Sequence, residues 1–179
     1  MKQTESIVLA GGCFWGLQAF LRRLPGVVDT ESGYANSRLP DPCYEQVCTG
    51  TTGAAEAVLV RFDPSQISLR QLLDAFFTVI DPTTLNRQGN DVGTSYRSGI
   101  FYSDPAMLPV IERTVASVQK HCSRPVVTEI LPLQNFRAAE DWHQDYLERN
   151  PGGYCHIPLQ VMQSFRLKTQ EELEREDRT

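Results

Sequence analysis

The chain has 179 residues, 41% of them hydrophobic and 22% charged, which is enough apolar material for one core in an ordinary globular domain. A formal net charge of -5 offers no uniformly basic face to phosphate backbones or anionic lipid, and so argues against nucleic acid or a membrane surface as a partner. The first apolar run, residues 7–10, is far too short for a signal peptide or a membrane span, so a cytoplasmic protein is expected, acting as a monomer.

In chain order, residues 7–10 read as a buried strand ended by Gly11-Gly12. Phe14, Leu17, Leu21 and Leu24 then recur at helical spacing until Pro25-Gly26. Residues 27–33 read as a second strand, followed by a long polar loop over 34–53. Residues 55–62 alternate as a strand. Leu69, Leu72, Leu73, Phe76 and Phe77 share one face of a helix whose start is marked by a capping box of Ser68 and Gln71. A second polar loop, 83–98, leads to a short strand at 99–102. A helix carrying Leu108, Ile111, Val115, Val118 and Cys122 follows, then a strand at 126–133 and a helix at 136–149. Two strands follow one another across the first long loop, which argues against a uniformly parallel doubly wound sheet and predicts a mixed sheet with helices packed on it. Residues 1–165 are expected to form a single catalytic domain with a flexible C-terminal segment from about residue 150. The densely charged stretch 166–179 reads as a mobile tail, a linker or a short solvated helix.

Five cysteines without paired Cys-x-x-Cys spacing fit neither a disulfide framework nor a zinc knuckle, so no metal is expected and free or redox-cycling thiols fit better. Cys13 stands at the strand-to-helix junction, where unpaired backbone N–H groups favour a thiolate and predict a lowered pKa. A buried core thiol is the plain alternative, and Phe14 and Trp15 beside it serve equally as core or as an apolar wall for a ligand. Along residues 55–62, period two places Glu56 on the face of Val58, Val60 and Phe62, where burial raises a carboxyl pKa; a strand-end glutamate reaching solvent is the other reading.

Gly11-Gly12-Cys13-Phe14-Trp15-Gly16 resembles the signature of peptide methionine sulfoxide reductase A. The resemblance extends through Pro42-Cys43-Tyr44-Glu45-Gln46-Val47-Cys48, Thr52-Gly53-Ala54-Ala55-Glu56, the stretch 87–98 and Asn150-Pro151-Gly152-Gly153-Tyr154-Cys155, in the family's order. It implies an α/β (α+β) two-layer sandwich with a ferredoxin-like core, and reduction of the S epimer of methionine sulfoxide, free or in proteins. Carried over residue by residue, it implies Cys13 as nucleophile, Glu56 as proton donor, Tyr44 and Tyr96 as hydrogen-bond donors to the sulfoxide oxygen and Asp91 lining the same pocket. Phe14 and Trp15 would hold the substrate. Cys155 would resolve a Cys13 sulfenic acid into a disulfide, recycled by an external dithiol, thioredoxin, with no bound cofactor. Cys43, Cys48 and Cys122 read as innocent or structural, and His143 as a surface or supporting histidine. Two other readings remain open: a cysteine hydrolase pairing Cys13 with His143, and a non-enzymatic thiol sensor.

Overall fold

The computed structural model describes residues 3–179. Its first half runs β1 (Glu5–Ala10), α1 (Phe14–Leu21), β2 (Val27–Ala35), α2 (Tyr44–Cys48), β3 (Ala55–Phe62) and α3 (Leu69–Thr78). The second half holds a small hairpin of β4 (Arg87–Gln88) and β5 (Asp91–Val92), then β6 (Gly99–Tyr102), α4 (Leu108–Gln119), β7 (Glu129–Pro132) and β8 (Phe136–Ala138). Three short helices close the chain: α5 (Tyr146–Arg149), α6 (Leu159–Ser164) and α7 (Gln170–Arg178).

Six strands form one sheet in the order β7-β6-β1-β3-β2-β8, with every neighbouring pair antiparallel except β6 and β7. The path β1-α1-β2-β3-α3-β6, with spatial order β6-β1-β3-β2, is the β-α-β-β-α-β arrangement of a ferredoxin-like core. The main core lies between one sheet face and the helices. There Ile7, Leu9, Val58, Val60 and Phe62 meet Leu17, Leu21, Leu72 and Phe76. The alternating residues Val8, Ala10, Ala55 and Ala57 point to the opposite face, under Leu59, Leu133 and Phe136. The expected apolar stripes of α1 and α3 are buried, and the Ser68–Gln71 capping box is formed in both directions, at 2.9 and 3.1 Å.

The structure departs from the sequence reading in several places; the polar loop 83–98 holds the β4–β5 hairpin and a 3-10 turn, and α4 ends at Gln119, before Cys122. The polar loop 34–53 contains α2, which begins at Tyr44. The strand expected at 126–133 is confined to Glu129–Pro132. The helix expected at 136–149 does not form: Phe136–Ala138 pairs with β2 instead, Asp141–His143 makes one 3-10 turn, and Asp145 takes φ +51° before α5. The Gln144 side chain accepts from Ser32 N–H at 2.9 Å and donates to Ser32 and Ala139 carbonyls at 2.8 and 3.1 Å, so this stretch satisfies its polar groups against β2 rather than within a helix. Finally, the charged C-terminal stretch is a helix packed on α3 and α4, with Leu173 fully buried and Asp177 paired to the buried Arg70 at 2.6 Å. No helix among the described residues is long and apolar enough to cross a membrane.

Candidate active site

β1 ends at Gly11-Gly12, and Gly12 adopts φ +76°, a left-handed conformation that turns the chain sharply into α1. Its N–H donates to the Tyr96 carbonyl at 3.2 Å, which ties this turn to the 3-10 turn Thr94–Tyr96. Arg97 completes the tie by donating to the carbonyls of Gly53 at 2.9 Å and Thr94 at 2.8 Å and pairing with Glu129, so the entry to β3 and the Tyr96 turn are held together.

Cys13 is the N-cap residue of α1 and is 8% exposed. It lines a cavity of about 90 Å³ with Phe14, Trp15, Tyr44, Glu56, Asp91, Tyr96 and Tyr154. All seven residues assigned by sequence to the nucleophile, the donors and the substrate wall thus meet in one place. Cys155 lies beside it, half-buried, its thiol donating to the Ile157 carbonyl at 3.3 Å.

Electrostatics correct one expectation. The pKa of the Cys13 thiol is raised, not lowered: burial is the largest cause, the Glu56 carboxylate the next, and the Trp15 backbone N–H pulls only weakly the other way. A short helix end does not offset the loss of water around a buried sulfur. Glu56 behaves as its period-two placement predicted. It is 2% exposed, and burial carries its pKa from 4.5 to about 8, against the opposing pull of the Phe14 N–H, which donates to Oε1 at 3.3 Å. At neutral pH the cavity therefore holds a thiol and a protonated carboxyl side by side.

The tyrosines stay protonated. Burial, then the Cys48 thiol, raises the pKa of Tyr44; burial, then Glu56, raises that of Tyr96. Tyr154 is pushed up to about 12 by burial and by Asp91, whose Oδ2 accepts from its hydroxyl at 3.1 Å. Tyr154 is a lining residue that the sequence reading left unassigned. Its signal was present, since it directly precedes Cys155 in a quoted segment.

Of the two readings of His143, surface or supporting, the structure shows the supporting one, behind the aromatic wall. His143 is fully buried, not a surface residue; Trp15 Nε1 donates to its Nδ1 at 2.9 Å, and its Nε2 faces Glu140 at 3.4 Å. Glu140 in turn accepts from the Tyr34 hydroxyl at 3.1 Å and the Tyr44 N–H at 3.1 Å. Trp142 and Tyr44 flank the imidazole at ring-centroid distances of 3.6 and 4.5 Å, and Tyr146 stacks on Trp15 at 3.8 Å. The chain Trp15–His143–Glu140 fixes the indole and the start of α2 together. With its Nδ1 accepting from Trp15, His143 has no free basic nitrogen aimed at Cys13, which removes the Cys–His hydrolase reading. Cys48, expected to be structural, is exposed, as is Cys43.

Comparison with known proteins agrees with this geometry. The family model described as peptide methionine sulfoxide reductase matches residues 5–175. The peptide methionine sulfoxide reductase MsrA of Clostridium botulinum is 54% identical over 155 residues, covering 87% of this chain and 99% of that protein. Among solved structures, reduced Mxr1 from Saccharomyces cerevisiae superposes with a TM-score of 0.83 at 40% identity, covering 88% of this chain and 92% of that one. Mxr1 in complex with Trx2 superposes with a TM-score of 0.59 at 31% identity, covering 80% and 85%. With a match that spans nearly the whole chain and a cavity built around one thiol and one protonated carboxyl, the protein belongs to the peptide methionine sulfoxide reductase family, MsrA type, and is an oxidoreductase that reduces methionine sulfoxide.

Proposed function

We propose that the S epimer of methionine sulfoxide, free or in proteins, is reduced at Cys13, with the S-methyl group against Phe14 and Trp15 and the sulfoxide oxygen among Glu56, Tyr44 and Tyr96. The observation that carries this reading is the pairing of a protonated Glu56 with the Cys13 thiol in one cavity of about 90 Å³. Glu56 donates its proton to the sulfoxide oxygen, which makes the substrate sulfur electrophilic, and recovers a proton from the thiol as Cys13 attacks. Oxygen passes from the substrate sulfur to Cys13, which becomes a sulfenic acid, and methionine leaves. Tyr44 and Tyr96 donate to the oxygen as its charge grows without changing their own charge. Asp91 acts by holding the Tyr154 hydroxyl at the cavity rim.

Cys155 then condenses with the sulfenic acid to give a Cys13–Cys155 disulfide and water. An external dithiol of the thioredoxin class reopens the disulfide, a reading supported by the relative solved in complex with Trx2. The scheme needs no bound cofactor or metal. Five unpaired thiols suit a reducing cytoplasm, where the protein would work as a monomer.

The test is a thiol and product count on the reduced protein without dithiol. The S epimer should yield one methionine with loss of two thiols; Cys155→Ser should yield one methionine with loss of one thiol; Cys13→Ser should yield none. Repeated turnover without a reductant, or equal reaction of the R epimer, would overturn the scheme.

A further inference from the structure

The residue after the resolving cysteine has a buried ring with no assigned work. A Cβ placed on Gly16 would lie 2.8 Å from Cys155 Sγ and 3.3 Å from His156 Nδ1, and a Cβ placed on Gly12 would lie 3.0 Å from His156 Nε2. The sulfur and Nδ1 are thus within about 6 Å of each other on the Gly16 side, and Nε2 lies over Gly12, next in the chain to Cys13. Two glycines one helical turn apart, flanking Cys13, leave the bare surface on which this imidazole rests. Both ring nitrogens are sealed from water, and among the described residues no side chain pairs with either; the polar neighbour of the ring is the Gly11 carbonyl. A buried imidazole without a side-chain partner is costly to keep, and this one lies between the Cys155 sulfur and the residue that precedes Cys13.

We propose that His156 is the proton-transfer residue of the resolving step. The inference rests on the reading above, in which Cys155 condenses with a sulfenic acid on Cys13. In that step the Cys155–Cys13 S–S bond forms and the S–O bond of the sulfenic acid breaks; the electron pair of the Cys155 sulfur oxidises it and reduces the Cys13 sulfur. The Cys155 proton moves to Nδ1, the proton on Nε2 goes to the departing oxygen, and water leaves with the imidazole in its other tautomer. The ring is suited to begin neutral. Burial holds its pKa below the usual 6.5, with Asp91 on the β4–β5 hairpin and the Gly11 carbonyl pulling the other way. The Cys155 sulfur lies on the same side of Gly16, and both reacting thiols are raised by burial, so neither supplies its own thiolate at neutral pH.

The experiment follows methionine release and disulfide formation separately in single turnovers, from pH 5 to 9. With the S epimer, wild type should form the disulfide at a rate that climbs with pH and levels off before neutrality, as a neutral imidazole becomes available. In His156→Gln the methionine burst should keep its rate and amplitude, disulfide formation at pH 7 should fall about 10²-fold, and its rate should climb about tenfold per pH unit past pH 8, following the Cys155 thiol. The Cys13 sulfenic acid should accumulate and be trapped by a carbon nucleophile. A slower variant that still levels off where wild type does would make His156 a packing residue only and overturn the proposal, as would an unchanged rate or a lost methionine burst. Should His156→Gln fail to fold, the wild-type profile decides: a rate still climbing through pH 8 overturns the role. Absence of any methionine burst in wild type would instead sink the underlying reduction scheme.

Discussion

Cys13 and Glu56 share one cavity, and burial raises the pKa of each, so the ground state keeps both protons inside. This arrangement suits a reaction that moves a proton from sulfur to oxygen without net uptake. It also sets the pH dependence. Glu56 donates below about pH 8 and loses that ability as pH rises through it, so the chemical step should fall on the alkaline side. Glu56→Gln should slow methionine formation in a single turnover by about 10²–10⁴-fold and remove that alkaline limb; an unchanged rate would mean another donor. The same shift has a cost in stability. A carboxyl with a folded pKa near 8 and an ordinary value of 4.5 favours folding fully below pH 4.5 and loses that contribution as pH rises to about 8. Glu56→Gln should therefore be more stable than wild type at pH 9, by about 3–5 kcal/mol if the whole shift is realised, and indistinguishable near pH 4, as urea titrations at the two pH values would read. Residues at this scale were legible where a local rule applied. Period two turned Glu56 inward, and the glycine turn put Cys13 at a helix start. The raised Cys13 pKa was not legible, because it depends on a carboxyl 43 positions away and on water excluded by aromatics from four separate segments.

At the scale of elements, the strong apolar stripes of α1 and α3 were readable because each element carries its own periodicity. The stretch 136–149 was not, because its side chains have ordinary helical character and the deciding partners, Ser32 and Gln18 in β2 and α1, lie more than a hundred residues earlier. α7 had a visible start signal: Thr169 and Glu172 form a reciprocal capping box at 3.2 and 2.7 Å. What hid its role was a surface of alternating charge with one apolar residue, Leu173, which is fully buried against α3 and α4. Leu173→Ala should cost about 2–4 kcal/mol, lowering the thermal midpoint by roughly 5–12 °C for a chain of this size, while kcat/KM at 25 °C stays within about twofold. A loss of activity without a loss of stability would place α7 in the chemistry instead.

For the whole molecule, the chemistry is assembled from both ends of the chain. Cys13 follows the first strand, and Cys155 opens a final segment that returns across α1. That segment was expected to be flexible from about residue 150, as a travelling thiol would need. The segment is also anchored at several points: Ile157 is 2% exposed, Phe165 meets Phe20 edge-on at 5.1 Å, and Leu173 closes the far end. Two fully buried aliphatic side chains alone are worth about 4–8 kcal/mol, a large part of the 5–15 kcal/mol that holds a domain of ordinary stability together. Ending the chain after Asn150 should therefore remove more than the resolving thiol. The shortened protein should melt more than 10 °C lower or without a cooperative transition, and its methionine burst should shrink with the folded fraction. Cys155→Ser, which keeps every anchor, should melt within a few degrees of wild type and retain its full burst. Circular dichroism melts paired with single-turnover methionine counts separate the two variants. A shortened chain that melts with wild type and keeps a full burst would show that the segment contributes a thiol and nothing to the fold.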